Sequence, residues 1–259
     1  MNSIVKGLII GGAIAVLGAV IAITALAVCG WTVKPKFQMK TFTSAEEVSS
    51  VYVRQDEGSV KLSYYDGDEI AVEYPENKLF KATVECRDGK LTVESCRKWY
   101  VIGSFRLPET VIKLPSALAE KPDVNLKLNA GSANLGSGTY GNVTANINAG
   151  QFTAGEITCA TLKCNINAGQ IKITGVRCTV LNLDVDAGKT EIISADAVNT
   201  AVDVDAGSVH IGFAGAHSEY TINVKVDAGS CNVSNSTGTT EKTITVDVDA
   251  GEAKLDFAG

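Results

Sequence analysis

The chain has 259 residues, 45% of them apolar and only 6% aromatic, with 25 glycines and a net charge of −6. That apolar share is enough for a sizeable core, and its many valines, isoleucines and small residues suit stacked strands better than a helical bundle. The negative balance, with no cluster of Lys and Arg, excludes nucleic acid as a partner, because neutralising phosphates needs grouped cations.

From Leu8 to Val28 there is no charged residue and only Thr24 is clearly polar. A helix rising about 1.5 Å per residue over this run spans roughly the 30 Å hydrocarbon core of a bilayer. Residues 1–30 are therefore expected to form an N-terminal transmembrane anchor, single-pass in the cell membrane. A cleaved signal peptide ending at Ala25-Leu-Ala27 is the alternative, but the apolar run exceeds a usual h-region and only Lys6 precedes it. A lipoprotein reading at Leu26-Ala-Val-Cys29 would place the bulky Val28 where a small residue belongs. Lys34, Lys36 and Lys40 follow the run and favour a cytoplasmic C-terminal part, by a rule that weakens for long translocated domains. Charge alone leaves the orientation open. Residues 31–45 read as a juxtamembrane linker, with Trp31 and Phe37 suited to the membrane interface.

Residues 46–118 carry irregular strand signals. Val51-Tyr-Val53 followed by Gly58-Ser-Val60-Lys-Leu62 has a strand–bend–strand grammar, and Asp66-Gly67 and Asp88-Gly89 supply turns. A two-residue hairpin at Asp88-Gly89 sets Cys86 opposite Leu91 and Cys96 opposite Lys81, too far apart for a disulfide. Ile112-Lys-Leu114-Pro115 ends a strand on a residue that cannot extend a ladder.

The rest of the chain repeats. Asn129-Ala-Gly131, Asn148-Ala-Gly150, Asn167-Ala-Gly169, Asp186-Ala-Gly188, Asp205-Ala-Gly207, Asp227-Ala-Gly229 and Asp249-Ala-Gly251 recur at spacings of 19, 19, 19, 19, 22 and 22. Aliphatic and polar residues alternate on both sides of each glycine, as in Leu183-Asp-Val-Asp186 and Gln170-Ile-Lys-Ile173. Period-two alternation means strands buried on one face, and helical repeats need longer periods.

The expected fold class is all-β. It is a single-domain parallel β-solenoid over 46–259 with coils of 19–22 residues, irregular over 46–118 and in seven regular coils over 119–259. One N-terminal transmembrane helix precedes it. Stacked in chain order, Leu128, Ile147, Ile166, Val185, Val204, Val226 and Val248 form one internal ladder. Leu135, Ala154, Ile173, Ile192, Ile211, Val233 and Leu255 form another. The glycine bend requires positive φ or close approach, and the preceding Ala is expected to point inward. The Asn/Asp before it suits an Asx-type bond to backbone amides. Glu252, Lys254 and Asp256 alternate outward on the last strand and protect an open end of the stack.

Three groups are candidates for chemistry. Asp184, Asp186, Asp203 and Asp205 fall in outward columns of adjacent coils, where carboxylates about 5–7 Å apart repel and a hard cation such as Ca²⁺ would relieve them. Against this stand the missing GGxGxDx nonapeptide, the Asn of the earlier coils and Lys225 in the outer column; the other reading is a solvated polar face. No other cofactor is indicated. Cys159 and Cys178 occupy equivalent places in adjacent coils, as a disulfide or as two small buried thiols. Ser208 and His210 both face outward, with no strained elbow or oxyanion loop, and His210 reads as a surface histidine.

The N-terminal apolar run is followed by Tyr65-Asp-Gly-Asp-Glu69, Arg87-Asp-Gly-Lys-Leu-Thr-Val93, Val111-Ile-Lys-Leu-Pro115 and the repeated Asn/Asp-Ala-Gly coils. In these features the chain resembles the DUF4097 family of bacterial adhesin-like, β-strand-repeat proteins. It implies a β-solenoid on a bacterial cell surface, linked to adhesion or envelope stress, and transfers no catalytic or binding residue. The functional expectation is a membrane-anchored, extracellular, non-enzymatic interaction protein that meets an unknown protein or envelope ligand. A membrane-tethered sensor or regulatory subunit is the alternative. A polysaccharide-cleaving enzyme would need paired carboxylates in an aromatic-lined cleft, and the repeats nearly lack exposed aromatics.

Overall fold

The computed structural model describes residues 20–21, 23–24, 36–78, 80–97 and 107–258. The anchor expected over 1–30 falls almost wholly outside them; among the described residues no helix is long and apolar enough to cross a membrane. Apart from the helical residues 20–21 and 23–24, the described chain is all-β, sixteen strands linked into one hydrogen-bonded sheet, with one short 3-10 turn at His217–Glu219.

The middle of the molecule follows the repeat. Strands β8 (Asp123–Leu135), β9 (Gly138–Thr139), β10 (Asn142–Thr158) and β11 (Thr161–Val204) pair parallel, with Leu128 beside Ile147 and Ile147 beside Ile166. β11 has 44 residues. Straight, it would reach roughly 145 Å at about 3.3 Å per residue. It instead winds through successive rungs, as shown by bonds from Asp205 N–H to Val185 O (3.0 Å) and from Thr179 N–H to Ala160 O (3.0 Å). The alternating aliphatics are buried almost completely, among them Leu128, Ile166, Leu181 and Val204.

The glycines of the bends trace the stacking order. A β-carbon on Gly131 would overlap the Gly58 carbonyl oxygen, and one on Gly150 that of Gly131. Gly150 also has φ +147°, so both close approach and backbone conformation exclude a side chain there. The column runs Gly58, 131, 150, 169, 188, 207, 251, 229. It contains eight rungs, including the expected early bend at Gly58, and its last two members are exchanged relative to the chain.

That exchange corrects the stacking expected from sequence. β15 (Lys242–Val248) and β16 (Glu252–Phe257) lie directly on β11 and on β12 (Ser208–Phe213), with Val204 beside Val248 and Ile211 beside Leu255. β13 (Tyr220–Val226) and β14 (Ser230–Cys231), earlier in the chain, sit outside them. Val226 is consequently 37% exposed where Val248 is fully buried. Val233 is not in the second ladder; it packs half-buried against the core.

The extra residues of the 22-residue spacings make this possible. The segment 232–241 crosses outside β13, covering its edge through paired bonds between Ile222 and Ser236 (2.9 Å each) and from Val224 N–H to Asn235 Oδ1 (2.6 Å). The last strand is therefore not the open end. Asn232 caps it instead, accepting from Leu255 N–H (2.7 Å) and donating to Leu255 O (2.8 Å), so that an amide side chain stands in for the next strand.

The N-terminal end is also out of chain order. β2 (Ser50–Gln55) and β3 (Ser59–Tyr65) lie against β8 on one side. On the other side lie β6 (Lys90–Arg97) and β7 (Thr110–Pro115), all parallel. Beyond these the pairing turns antiparallel. β5 (Phe80–Arg87) pairs with β6, and β4 (Ile70–Glu76) lies between β7 and β1 (Gln38–Ser44). The parallel solenoid expected over 46–259 thus gives way here to antiparallel pairs, one of them the hairpin expected at Asp88-Gly89, since a two-residue turn can join only antiparallel strands. Asp88 (φ 52°) and Gly89 (φ 73°) make that turn and place Cys86 opposite Leu91 and Cys96 opposite Lys81, as expected. Part of the segment read as a linker, Gln38–Ser44, is strand β1, and β7 ends at Pro115 as expected.

Candidate functional site: the polar outer face

At each bend two consecutive residues face outward, the Asn/Asp and the Ala. The Ala was expected inside; it lies on the convex side of the corner, and glycine alone takes the crowded position. The Asx bond to backbone amides is replaced by bonds along the stack. Asn129 Nδ2 donates to Asp56 Oδ1 (2.6 Å), Asn148 to Asn129 Oδ1 (2.9 Å) and Asn167 to Asn148 Oδ1 (3.4 Å). A parallel ladder joins Asn165 to Asn146 (2.6 Å). A primary amide both donates and accepts, so identical amides one rung apart satisfy each other.

Carboxylates cannot do this, and they occupy the same columns further along. The four aspartates singled out by sequence, Asp184, Asp186, Asp203 and Asp205, lie on adjacent rungs. The exchange adds two that chain order would have set apart, Asp247 beside Asp203 and Asp249 on the next bend. Lys225 was expected to interrupt the outer column; it stands beyond Asp247, 3.1 Å from that carboxylate and 3.6 Å from Asp227. Partial burial, then the charges of Asp184, Asp205, Asp247 and Asp249, push the Asp203 carboxyl above its ordinary range. Among the described residues, no three His, Cys, Asp or Glu side chains converge to hold a metal ion. Asp184, Asp203 and Asp247 line a shallow groove of about 360 Å³ together with Lys163, Asn165, Asn182 and Thr245.

The bends, the glycine column and the β2–β3 rung that precedes the regular repeats together span one continuous unit. Over residues 48–258 it matches the Toastrack DUF4097 family model. The chain belongs to the Toastrack DUF4097 family. No protein of curated function matches it. Solved structures similar to this Toastrack chain include a "putative adhesin" from Bacteroides fragilis, 12% identical with TM-score 0.48, covering 88% of this chain and all of that one. A "putative adhesin" from Parabacteroides merdae is 12% identical with TM-score 0.43, covering 86% and 97%. A "putative cell adhesion protein" from Clostridium sporogenes is 14% identical with TM-score 0.35, covering 86% and 100%.

Elsewhere on the Toastrack surface His210 Nε2 lies 2.7 Å from Asp256 Oδ2 on the neighbouring rung, and Ser208 is in register with Glu252. His210 and Lys254 hydrogen-bond Asp256 and hold its carboxyl below the usual range. Sequence reasoning missed Asp247 and Asp249 because their contribution depends on which rung they stack upon. Each is flagged only by its own Asp-x-Asp-Ala-Gly copy.

Proposed function

We propose that this Toastrack chain is a membrane-anchored, cell-surface β-solenoid that acts as a non-enzymatic, adhesin-like interaction protein. Its solenoid domain lies outside the cell, and its polar face meets an envelope component or another protein. The observation that carries this reading is the outer face. Amide and carboxylate columns run unbroken from rung to rung, about 4.8 Å apart, and give a rigid surface on which a partner is read along its length. The anchor is supported by the charge-free run from Leu8 to Val28.

The test uses cells displaying the full-length chain. Protease added to intact cells is expected to remove the repeat domain, and beads coated with the detergent-purified chain to retain isolated envelope material. Asp184→Arg with Asp203→Arg, which inverts the centre of the face, is expected to abolish retention while leaving thermal unfolding within a few degrees of the parent. Protection from protease on intact cells, or equal retention by the inverted face, would rule the proposal out.

A further inference from the structure

The described cysteines Cys86, Cys96, Cys159, Cys164, Cys178 and Cys231 are all free thiols. Two of them stand at the same place on adjacent rungs. Thr158 is in register with Arg177, and Cys159 N–H donates to Arg177 O at 3.0 Å, which sets Cys159 and Cys178 one rung apart. Rung spacing of about 4.8 Å lies within the roughly 4.4–6.8 Å that a disulfide spans between α-carbons. The repeat continues this column with Tyr140 on one side and Ala197 on the other, both buried, so within the column each thiol has only the other as a sulfur neighbour. Cys159 is 7% and Cys178 6% exposed, whereas Cys164 is fully buried in register with Ala145 on another side of the rung.

We propose that Cys159 and Cys178 form a reversible dithiol–disulfide pair that ties two adjacent rungs together. The oxidant is a small-molecule or protein disulfide. The Cys159 thiolate attacks one of its sulfurs and expels a thiolate, leaving a mixed disulfide. Cys178 then displaces the second thiolate from Cys159. Two protein thiols become one disulfide, and their two protons and two electrons leave on the two thiols released. The hydrogen bond from Cys178 holds the Cys159 thiol below its ordinary range, against the effect of burial, which favours Cys159 as the first nucleophile. The bond is easily reduced again. Side chains of in-register parallel strands stand about a rung spacing apart, slightly beyond the roughly 3.5–4.5 Å that the β-carbons of a cystine prefer, and a strained disulfide has a more oxidising potential.

The native full-length chain, incubated with oxidised glutathione, alkylated in denaturant and digested with trypsin, tests this. Cys159, Cys164 and Cys178 fall in separate tryptic peptides, 128–163, 164–172 and 178–189. The expected product is a cross-link between the first and third, lighter by two hydrogens, with Cys164 alkylated and the link lost on adding reduced glutathione to the folded protein. Cys159→Ser should leave Cys178 without a partner and remove the cross-link, and Cys178→Ser should trap glutathione on Cys159. Full alkylation of both cysteines in the oxidised wild-type protein, or a link to Cys164 instead, would overturn the proposal without recourse to either variant.

Discussion

Between Asp123 and Phe213 each rung rests on the one formed just before it, so neighbours in sequence are neighbours in space. At both ends this rule fails. The Ser50–Tyr65 rung is enclosed by Lys90–Arg97 with Thr110–Pro115 on one side and Asp123–Leu135 on the other, and the Lys242–Phe257 rung by Asn199–Val204 with Ser208–Phe213 and by Tyr220–Val226 with Ser230–Cys231. The difference teaches how a stack of near-identical units ends. An interior rung is covered on two sides by any copy of itself, because valine and isoleucine are interchangeable in the ladder. A terminal rung has one edge of unpaired N–H and C=O groups, and an uncovered edge invites pairing with another chain. Drawing a late rung inward places the terminal position next to a free segment, 232–241, whose Asn235 and Ser236 satisfy that edge.

The largest expected effect tests the exchange directly. Val248→Asp places an unpaired charge in a fully buried site and is expected to cost about 3 kcal/mol or more in chemical unfolding, as should Val204→Asp. Val226→Asp, at the 37% exposed outer rung, is expected to cost about 1 kcal/mol or less. In chain-order stacking Val226 would be interior and Val248 terminal, so a reversed ranking would refute the exchange.

A smaller effect is expected at the capped edge. Asn232→Ala removes both amide bonds to Leu255, and thermal unfolding should report a loss of about 1–2 kcal/mol. A comparable change of opposite sign is expected in the middle. Thr190 is completely buried with its hydroxyl unpartnered, and Thr190→Val should raise stability by about 1 kcal/mol by removing that group at nearly constant shape.

The smallest effect belongs to the acidic face and carries a pH signature. The Asp203 carboxyl is raised in the fold, by partial burial first and neighbouring aspartates second, so the folded state holds its proton longer than the unfolded chain does. Ionisation therefore disfavours the fold. The penalty is absent below the unfolded value and appears as pH rises through the folded one. Asp203→Asn is expected to stabilise the protein at neutral pH by about 0.5 kcal/mol or less, the scale of surface changes, with the advantage vanishing in acid. Equal stability of variant and parent at neutral pH would show that Asp247 and Asp249 do not crowd Asp203, which again tests the order of the last rungs.

Much of this architecture is legible in the amino-acid sequence. The glycine at each bend, the inward Leu183 and Val185, the early bend at Gly58 and the hairpin at Asp88-Gly89 all follow from local patterns, because period-two alternation and turn chemistry are properties of a few consecutive residues. The bend alanines were misplaced, since alternation cannot foretell which of two successive residues takes the inside of a corner. The bonding of the Asn column was also misjudged, because an amide's partner one rung away lies 19 residues off in sequence.

The sequence by itself determined that the chain is all-β, where it bends and that one face of each middle strand is buried, because each is written in the alternation and the Asn/Asp-Ala-Gly repeat. Only the tertiary structure decided the order of the terminal rungs, and with it the grouping of Asp203 with Asp247 and the removal of Lys225 to the rim. The physical reason is degeneracy. Rungs that present the same aliphatic ladder stack with nearly equal energy in either order, so the choice falls to the covering of exposed edges by segments that carry no repeat at all.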